Sequence, residues 1–256
     1  MLIDTHCHLY LEEFEKDIDN VIVNAQSNDV HQLYLPAINS ETTEALIKLE
    51  EKYPIHCFAM MGLHPCYVKE NYLDELLNVE RWLQKRKFVA IGECGLDFYW
   101  DKTFIKEQYI VLEKQIEWAL EYKLPIVLHT RNATQETIDV IKKYKTENLK
   151  GIFHCFGGSL EEAHQIIDLG FYLGIGGVVT YKNAGLDKVL KELDVKHIVL
   201  ETDSPYLTPV PFRGKRNESM HLKIIAEKIA EIMNCSFEDV ELETTYNANS
   251  IFNQSK

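Results

Sequence analysis

The sequence lacks the long apolar runs that membrane spans require. No stretch of about 18 consecutive apolar residues occurs anywhere in the chain. The first residues, Met1 to Asp4, also lack the basic-then-apolar pattern of a secretory signal. These absences predict a cytoplasmic protein that has no membrane partner.

Cysteine is sparse and follows no pattern. The six cysteines form no C-x-x-C pair and lie at Cys7, Cys57, Cys66, Cys94, Cys155 and Cys235. Without paired spacing, the sequence gives no sign of a zinc knuckle, a redox motif or a disulfide framework. We therefore expect reduced and mostly buried thiols.

Positive charge is also in short supply. Lysine and arginine number 27 against 40 aspartate and glutamate residues, which gives a formal net charge of −13. This excess opposes undirected adhesion to a phosphate backbone, but it does not exclude a nucleic acid substrate, because part of the acidity can be metal-binding carboxylate. The densest basic cluster comprises Arg213, Lys215 and Arg216. It supplies either local attraction to phosphate or simply a solvated loop.

What the sequence does contain is a series of short apolar runs, typical of strands in a parallel sheet that is covered on both faces. The chain has 256 residues, 46% of them hydrophobic, and this matches the roughly 250 residues of a single α/β barrel. The eight runs begin at Met1, Gln32, Ile55, Phe88, Pro125, Gly151, Phe171 and His197.

Amphipathic segments with helical spacing separate and follow these runs. We predict helices over residues 41–52, 73–87, 104–122, 133–144, 160–169, 184–193, 218–233 and 237–252. Alternating strands and helices indicate parallel crossover units. The predicted fold is a single α/β domain over residues 1–256, a (β/α)8 TIM-type barrel, possibly distorted, with extra C-terminal helices. An open doubly wound sheet is the alternative, because it has the same local pattern.

Polar residues fall where the predicted strands end. In a barrel these ends meet at one face, where active sites are built. Side chains two apart on a strand point to the same side, so His6 and His8 form a chelating pair while Cys7 faces away. The other strand ends carry His64, Glu93, His129, His154 and Asp203.

These residue types predict a site for two divalent cations. A carboxylate has two oxygens, so Glu93 is able to bridge two ions about 3.5–4 Å apart. We assign one cation to His6, His8, Glu93 and Asp203, and the other to Glu93, His129 and His154. Asp203 is also the candidate acceptor of a proton from an attacking water, so Asp203 and Glu93 are the catalytic candidates. The ligands suit Mg²⁺, Mn²⁺ or Zn²⁺ to differing degrees.

Several neighbouring residues have two readings. His64 either binds a substrate phosphate or caps its loop, and Arg131 either binds a phosphate oxygen or pairs with an acidic neighbour. Tyr99 and Trp100 either stack on exposed bases or pack against the barrel rim, which we favour. Glu201 either orients a metal ligand, which we favour, or helps to hold a further cation. No function is assigned to His31, His56, His164, His197 or His221.

At these positions the sequence resembles the TatD family of metal-dependent deoxyribonucleases, within the wider amidohydrolase-like barrels. The matching motifs run in order along most of the chain: Asp4-Thr5-His6-Cys7-His8-Leu9, Gly62-Leu63-His64-Pro65, Ile91-Gly92-Glu93-Cys94-Gly95-Leu96-Asp97, His129-Thr130-Arg131, His154-Cys155-Phe156, Glu201-Thr202-Asp203-Ser204-Pro205 and Arg213-Gly214-Lys215-Arg216-Asn217. One departure is visible, since Ser219-Met220 follows Glu218 where the family usually has proline. The resemblance implies the same metal ligands and an enzyme that hydrolyses phosphodiester bonds in DNA.

Three hypotheses follow. The first is two-metal hydrolysis of DNA, with single-stranded or frayed ends as substrate and no obligate protein partner. The second keeps the metal site but changes the substrate to an ester or amide, such as D-aminoacyl-tRNA, because the same ligands suit acyl and phosphoryl centres. The third is a metal-dependent binding protein without turnover.

Overall fold

A computed structural model describes residues 1–252, and strands and helices alternate along them as predicted. The strands are β1 (Leu2–Asp4), β2 (Val30–Leu35), β3 (Cys57–Ala59), β4 (Ile91–Asp97), β5 (Ile126–Arg131), β6 (Gly151–Phe153), β7 (Tyr172–Ile175) and β8 (Ile198–Leu200). The helices are α1 (Ile18–Ser27), α2 (Ser40–Lys52), α3 (Tyr72–Lys85), α4 (Ile105–Tyr122), α5 (Thr134–Lys142), α6 (Leu160–Asp168), α7 (Leu186–Leu190), α8 (Leu222–Met233) and α9 (Phe237–Phe252).

All strand pairs are parallel, and they form one sheet of β1 to β3 and another of β4 to β8. Two irregular junctions join the sheets. At the β8–β1 junction, Thr5 N donates to Leu200 O and Cys7 pairs with Ser204; at the β3–β4 junction, Met61 pairs with Ile91. The sheet thus closes on itself. The TIM-type barrel is confirmed, and the open doubly wound alternative is wrong.

The barrel interior is packed with side chains. One buried cluster takes a residue from each of seven strands or their immediate ends, namely Ile3, Tyr34, Met60, Ala90, Val127, Ile152 and Val199. Ala248, Ile251 and Phe252 of α9 join this cluster, and the Phe252 ring stacks on Tyr34 at 3.9 Å between centroids. α9 therefore closes the end of the barrel at which the strands begin.

Local signals in the sequence set several helix ends. Asn39 accepts a hydrogen bond from Thr42 N and caps α2, and Ser159 with Glu162 forms a capping box on α6. Lys123, with φ of 55°, ends α4 in the left-handed conformation. Within residues 1–252, no helix has the length and apolar character needed to cross a membrane.

Three helix predictions need correction. We predicted no helix between the first two strands, yet α1 lies there and buries Val21, Ile22 and Ala25. Five of its ten residues are apolar and the buried ones share one face, so the signal for this helix was present in the sequence. The helix predicted over 184–193 is shorter, because Gly185 before it has a left-handed φ of 73°. The helix predicted over 218–233 opens with a 3₁₀ turn, Ser219–His221, before α8.

Candidate metal centre

The structure brings together, at the C-terminal mouth of the barrel, all six side chains that the sequence predicts as metal ligands. Cys7 lies in the core between strands and helices while His6 and His8 face the mouth, as their spacing predicted. The β8–β1 junction places Asp203 beside this pair, since Asp203 N donates to His6 O.

Glu93 lies at the centre of the cluster, and its two carboxylate oxygens face different sets of nitrogens. Oε2 is 3.1 Å from His6 Nε2 and 3.4 Å from His8 Nε2. Oε1 is 3.0 Å from His129 Nδ1 and 3.5 Å from His154 Nε2. Each carboxylate oxygen of Glu93 thus faces its own pair of histidine nitrogens.

Asp203 completes the first set of ligands. Its Oδ1 lies 3.4 Å from His8 Nε2 and 3.8 Å from His6 Nε2. Its φ of 55° is rare for a residue other than glycine, and such conformations concentrate at functional sites. The side chain is 15% exposed against 3% for Glu93, so Asp203 is the more accessible of the two carboxylates.

The hydrogen bonds of His8 show that the residues fit a cation. Tyr10 Oη donates to Pro36 O at 2.6 Å, so it accepts from His8 Nδ1, which lies 3.0 Å away. A neutral His8 with its proton on Nδ1 then directs the lone pair of Nε2 at His6 Nε2, 3.2 Å away, and at the two carboxylates. Nitrogen lone pairs and carboxylate oxygens that converge in this way form a ligand set for divalent metal.

The charges in the cluster support the same conclusion. Burial lowers the pKa of His8, but contacts with Asp203 and Glu93 outweigh it and raise that pKa to about 9. Burial also lowers the pKa of His154, yet Glu201 and Glu93 raise it to about 10. The carboxylates therefore attract positive charge strongly, and metal binding would displace the protons that otherwise supply it.

Two further carboxylates contact the candidate ligand histidines at the ring nitrogens that do not face Glu93. Asp97 Oδ2 is 2.9 Å from His129 Nε2, on the opposite side of the ring from Glu93. Glu201 Oε1 is 3.0 Å from His154 Nδ1, which matches the orienting role expected for Glu201. Such carboxylate partners fix the ring orientation and the tautomer of a metal-binding histidine.

His64 caps its loop, which is one of its two predicted roles, and it also contacts the histidine and carboxylate cluster. Its Nδ1 accepts from Cys66 N at 3.0 Å and so caps the 3₁₀ turn Pro65–Tyr67. Its Nε2 lies 3.3 Å from Glu93 Oε1 and 3.3 Å from His129 Nδ1. His64 is therefore within the ligand cluster as well, a placement that we had not predicted although it follows a strand like the other ligands.

A cavity of about 810 Å³ opens above the cluster. Its lining includes Trp100, Arg131, Tyr67 and Tyr206 together with the ligand side chains. The ion pair considered for Arg131 does not form within residues 1–252; its guanidinium instead lies over the Tyr99 ring, 4.0 Å from the centroid.

The basic loop near residue 213 is largely occupied by local contacts. Arg216 pairs with Asp17 at 2.7 Å and with Glu218 at 2.8 Å. The Arg213 guanidinium lies 4.0 Å from the centroid of the Tyr181 ring. Arg216 is thus paired with acidic neighbours, which matches neither phosphate attraction nor a simply solvated loop.

Sequence reasoning missed Asp97 and Tyr10 as partners of the ligand histidines. The signal for Asp97 was available, because Glu93, Gly95 and Asp97 alternate along β4 and share one side of the strand. Tyr10 carries no such signal, since its contact with His8 depends on the path of an irregular loop.

The chain is similar to known proteins over nearly its whole length. Residues 3–253 match the family described as TatD related DNase. The uncharacterized metal-dependent hydrolase YabD of Bacillus subtilis is 39% identical and covers 98% of this chain and 99% of its own length. The 3′-5′ ssDNA/RNA exonuclease TatD of Erwinia tasmaniensis is 28% identical, with 98% of this chain and 100% of the relative covered.

The crystal structure of YjjV, a TatD homologue from Escherichia coli K12, superposes with a TM-score of 0.93 at 28% identity, covering 99% of this chain and 98% of the other. The barrel, its histidine and carboxylate cluster and these relatives define a metal-dependent hydrolase. Within that class, the chain belongs to the TatD-related DNase family.

Proposed function

We propose that this protein is a deoxyribonuclease that hydrolyses phosphodiester bonds at a centre of two divalent cations. The observation that carries the proposal is the orientation of the Glu93 carboxylate. Its Oε2 faces His6 and His8, while its Oε1 faces His129 and His154. The family match and the exonuclease among the relatives support DNA as the substrate.

In this proposal, one cation would be held by His6, His8, Glu93 and Asp203, and the other by Glu93, His129 and His154, with His64 beside the second set. When bound, the cations supply positive charge next to the scissile bond and lower the pKa of water toward 7. Mg²⁺, Mn²⁺ and Zn²⁺ are the candidates, because nitrogen and carboxylate ligands serve each of them to some degree.

The chain's own residues contribute proton transfer and positioning. A carboxylate oxygen of Asp203 accepts a proton from the water that attacks phosphorus, the bond from phosphorus to the ester oxygen breaks as the new one forms, and Asp203 returns the proton to the departing oxygen. Glu93 remains ionised, because the histidines His64, His6 and His154 outweigh its burial and hold its pKa well below the usual range. Arg131, free of carboxylate partners within residues 1–252, is placed to bind a phosphate oxygen.

The activity test uses purified full-length chain with end-labelled single-stranded DNA and, in parallel, a panel of aryl esters. We expect cleavage of DNA that requires Mg²⁺ or Mn²⁺ and stops with EDTA. Asp203→Asn should lower kcat by about 10²–10⁴-fold, the usual contribution of general base catalysis. Asp74→Asn, an exposed aspartate on α3, is the matched control and should retain the wild-type rate.

The other outcomes are equally informative. Hydrolysis of esters alone would replace the nuclease proposal with the ester or amide hypothesis. Metal binding without hydrolysis of either substrate class would favour the binding protein.

A further inference from the structure

Trp100 and Arg131 line one part of the cavity, and with the neighbouring Tyr99 they form a cluster, the Tyr99–Trp100–Arg131 stack. The Arg131 guanidinium carbon lies 4.0 Å from the Tyr99 ring centroid and 5.1 Å from that of Trp100. Trp100 is 66% exposed and Tyr99 is 51% exposed. Rim packing, our favoured sequence reading, would have buried these rings, so the exposure calls for another explanation.

The stack leaves the hydrogen-bonding groups of Arg131 available. A guanidinium has five N–H donors, and contact with a ring face uses none of them. The one acidic residue that directly follows Trp100, Asp101, is already paired with Lys69. Arg131 has no carboxylate partner among residues 1–252, so it offers a positive charge in a molecule whose net charge is strongly negative.

Asp97 fixes the stack relative to the metal centre. Its Oδ1 accepts from Tyr99 N at 2.9 Å and from Trp100 N at 3.0 Å, while its Oδ2 contacts His129. Phe98 N also donates to Arg131 O at 2.9 Å. One carboxylate thus holds both a candidate metal ligand and the aromatic segment.

The distance between the stack and the candidate metal centre suits a polymeric substrate that extends from one to the other. Arg131 lies two residues beyond His129 on β5, about 7 Å along an extended strand. Tyr67 and Tyr206, which also line the cavity, present further half-exposed rings. A chain whose reacting phosphate is at the metal centre would place its neighbouring base and phosphate beside the stack.

We infer that the Tyr99–Trp100–Arg131 stack binds the nucleotide next to the scissile bond of a single-stranded nucleic acid. The open face of Trp100 stacks on the unpaired base, and Arg131 donates to the adjoining phosphate. Bases in a duplex are already stacked on one another, so this subsite selects unpaired ends. The inference rests on the proposed nuclease function and adds the residues that determine substrate choice.

The kinetic test compares two single-stranded oligonucleotides that differ at one position, a normal base or an abasic residue next to the cleaved bond. Stacking of one base on an aromatic side chain changes affinity by about 5- to 150-fold. Trp100→Ala should therefore raise KM for the normal oligonucleotide at least about 5-fold more than for the abasic one. Trp100→Phe should restore most of the difference, and kcat should change less than KM.

A binding test without metal provides a second readout. Trp100 is far more exposed than Trp118, so stacking of a base should quench part of the tryptophan emission when the full chain is titrated with an oligothymidine in EDTA. The abasic oligonucleotide should quench less, and Trp100→Phe should abolish the difference. Tyr246→Ala, an equally exposed aromatic on α9 at the far end of the barrel, is the control and should match wild type.

Equal losses on the two oligonucleotides, or quenching that persists in Trp100→Phe, would overturn the inference while leaving the nuclease function intact. A wild-type protein that cleaves neither oligonucleotide would instead contradict the proposed function.

Discussion

At the residue scale, the centre depends on the close approach of β4 and β5. Gly95 lies between Glu93 and Asp97, with φ of 143°, and a Cβ built there would lie 2.0 Å from His129 O. Only glycine permits both this backbone conformation and this contact. The two carboxylates of β4 can therefore reach opposite sides of the same imidazole on β5.

Asp97→Asn tests this arrangement. The substitution keeps an oxygen for the backbone of Tyr99 and Trp100 but removes the charge beside His129 Nε2. We expect metal affinity to fall by about 10–100-fold, as for other partners of metal-binding histidines. Isothermal titration calorimetry with Mn²⁺ measures the change.

Asp101→Asn is the matched control, because Asp101 is four residues further along and contacts Lys69 and Thr103 instead of a histidine. It should leave the Kd unchanged. Equal affinity in Asp97→Asn and wild type, with circular dichroism unaltered, would show that Asp97 does not orient His129.

At the element scale, α9 is the helix that closes the base of the barrel. Its Phe252 is 7% exposed and stacks on Tyr34, so it contributes directly to the interior cluster. The ligand side chains follow the opposite ends of the strands. α9 thus stabilises the barrel without touching the candidate metal centre.

Phe252→Ala should destabilise the protein by about 3–5 kcal/mol, the usual cost of truncating a buried phenylalanine. Urea denaturation followed by circular dichroism measures this loss. Tyr246→Ala on the exposed side of the same helix should stay within about 0.5 kcal/mol of wild type. Equal stability of the two variants would mean that α9 does not hold the interior together.

The sequence was most informative about the positions of the strands and helices. Strands covered on both faces are continuously apolar, so all eight runs were recognisable, and the polar residues after them located the mouth. Strand limits were less accurate: the run predicted from Phe88 becomes regular only at Ile91, where β4 meets β5. The first and last residues of such strands depend on how the barrel closes through its irregular junctions. Because this closure depends on tertiary contacts, local sequence does not specify it.

The candidate site was predictable to the extent that its residues follow strands. The six proposed ligands do so, and the structure brings them together. The contacts of Tyr10 with His8, and of Arg131 with Tyr99, involve side chains on loops or at their edges. Their partners depend on how the loops fold, which residue spacing does not specify.

At the scale of the whole molecule, both junctions of the barrel pass through the metal centre. His6 and His8 face Asp203 across the β8–β1 junction, and His64 faces Glu93 across the β3–β4 junction. The ligands therefore come from both sheets and from strands near the two ends of the chain. A cation bound by them would join the sheets in addition to their hydrogen bonds.

The β8–β1 junction has a consequence for folding kinetics. Because it pairs the first strand with the last, the ligand set is complete only after nearly the whole chain has assembled. We expect the activating cation, at a hundred times its Kd, to slow unfolding by about 100-fold while hardly changing the refolding rate. Stopped-flow fluorescence in urea measures both rates, and faster refolding with metal would show that the chain ends meet before the rate-limiting step. If the refolding rate is unchanged, as expected, the cation determines how long the native barrel persists and not how quickly it forms.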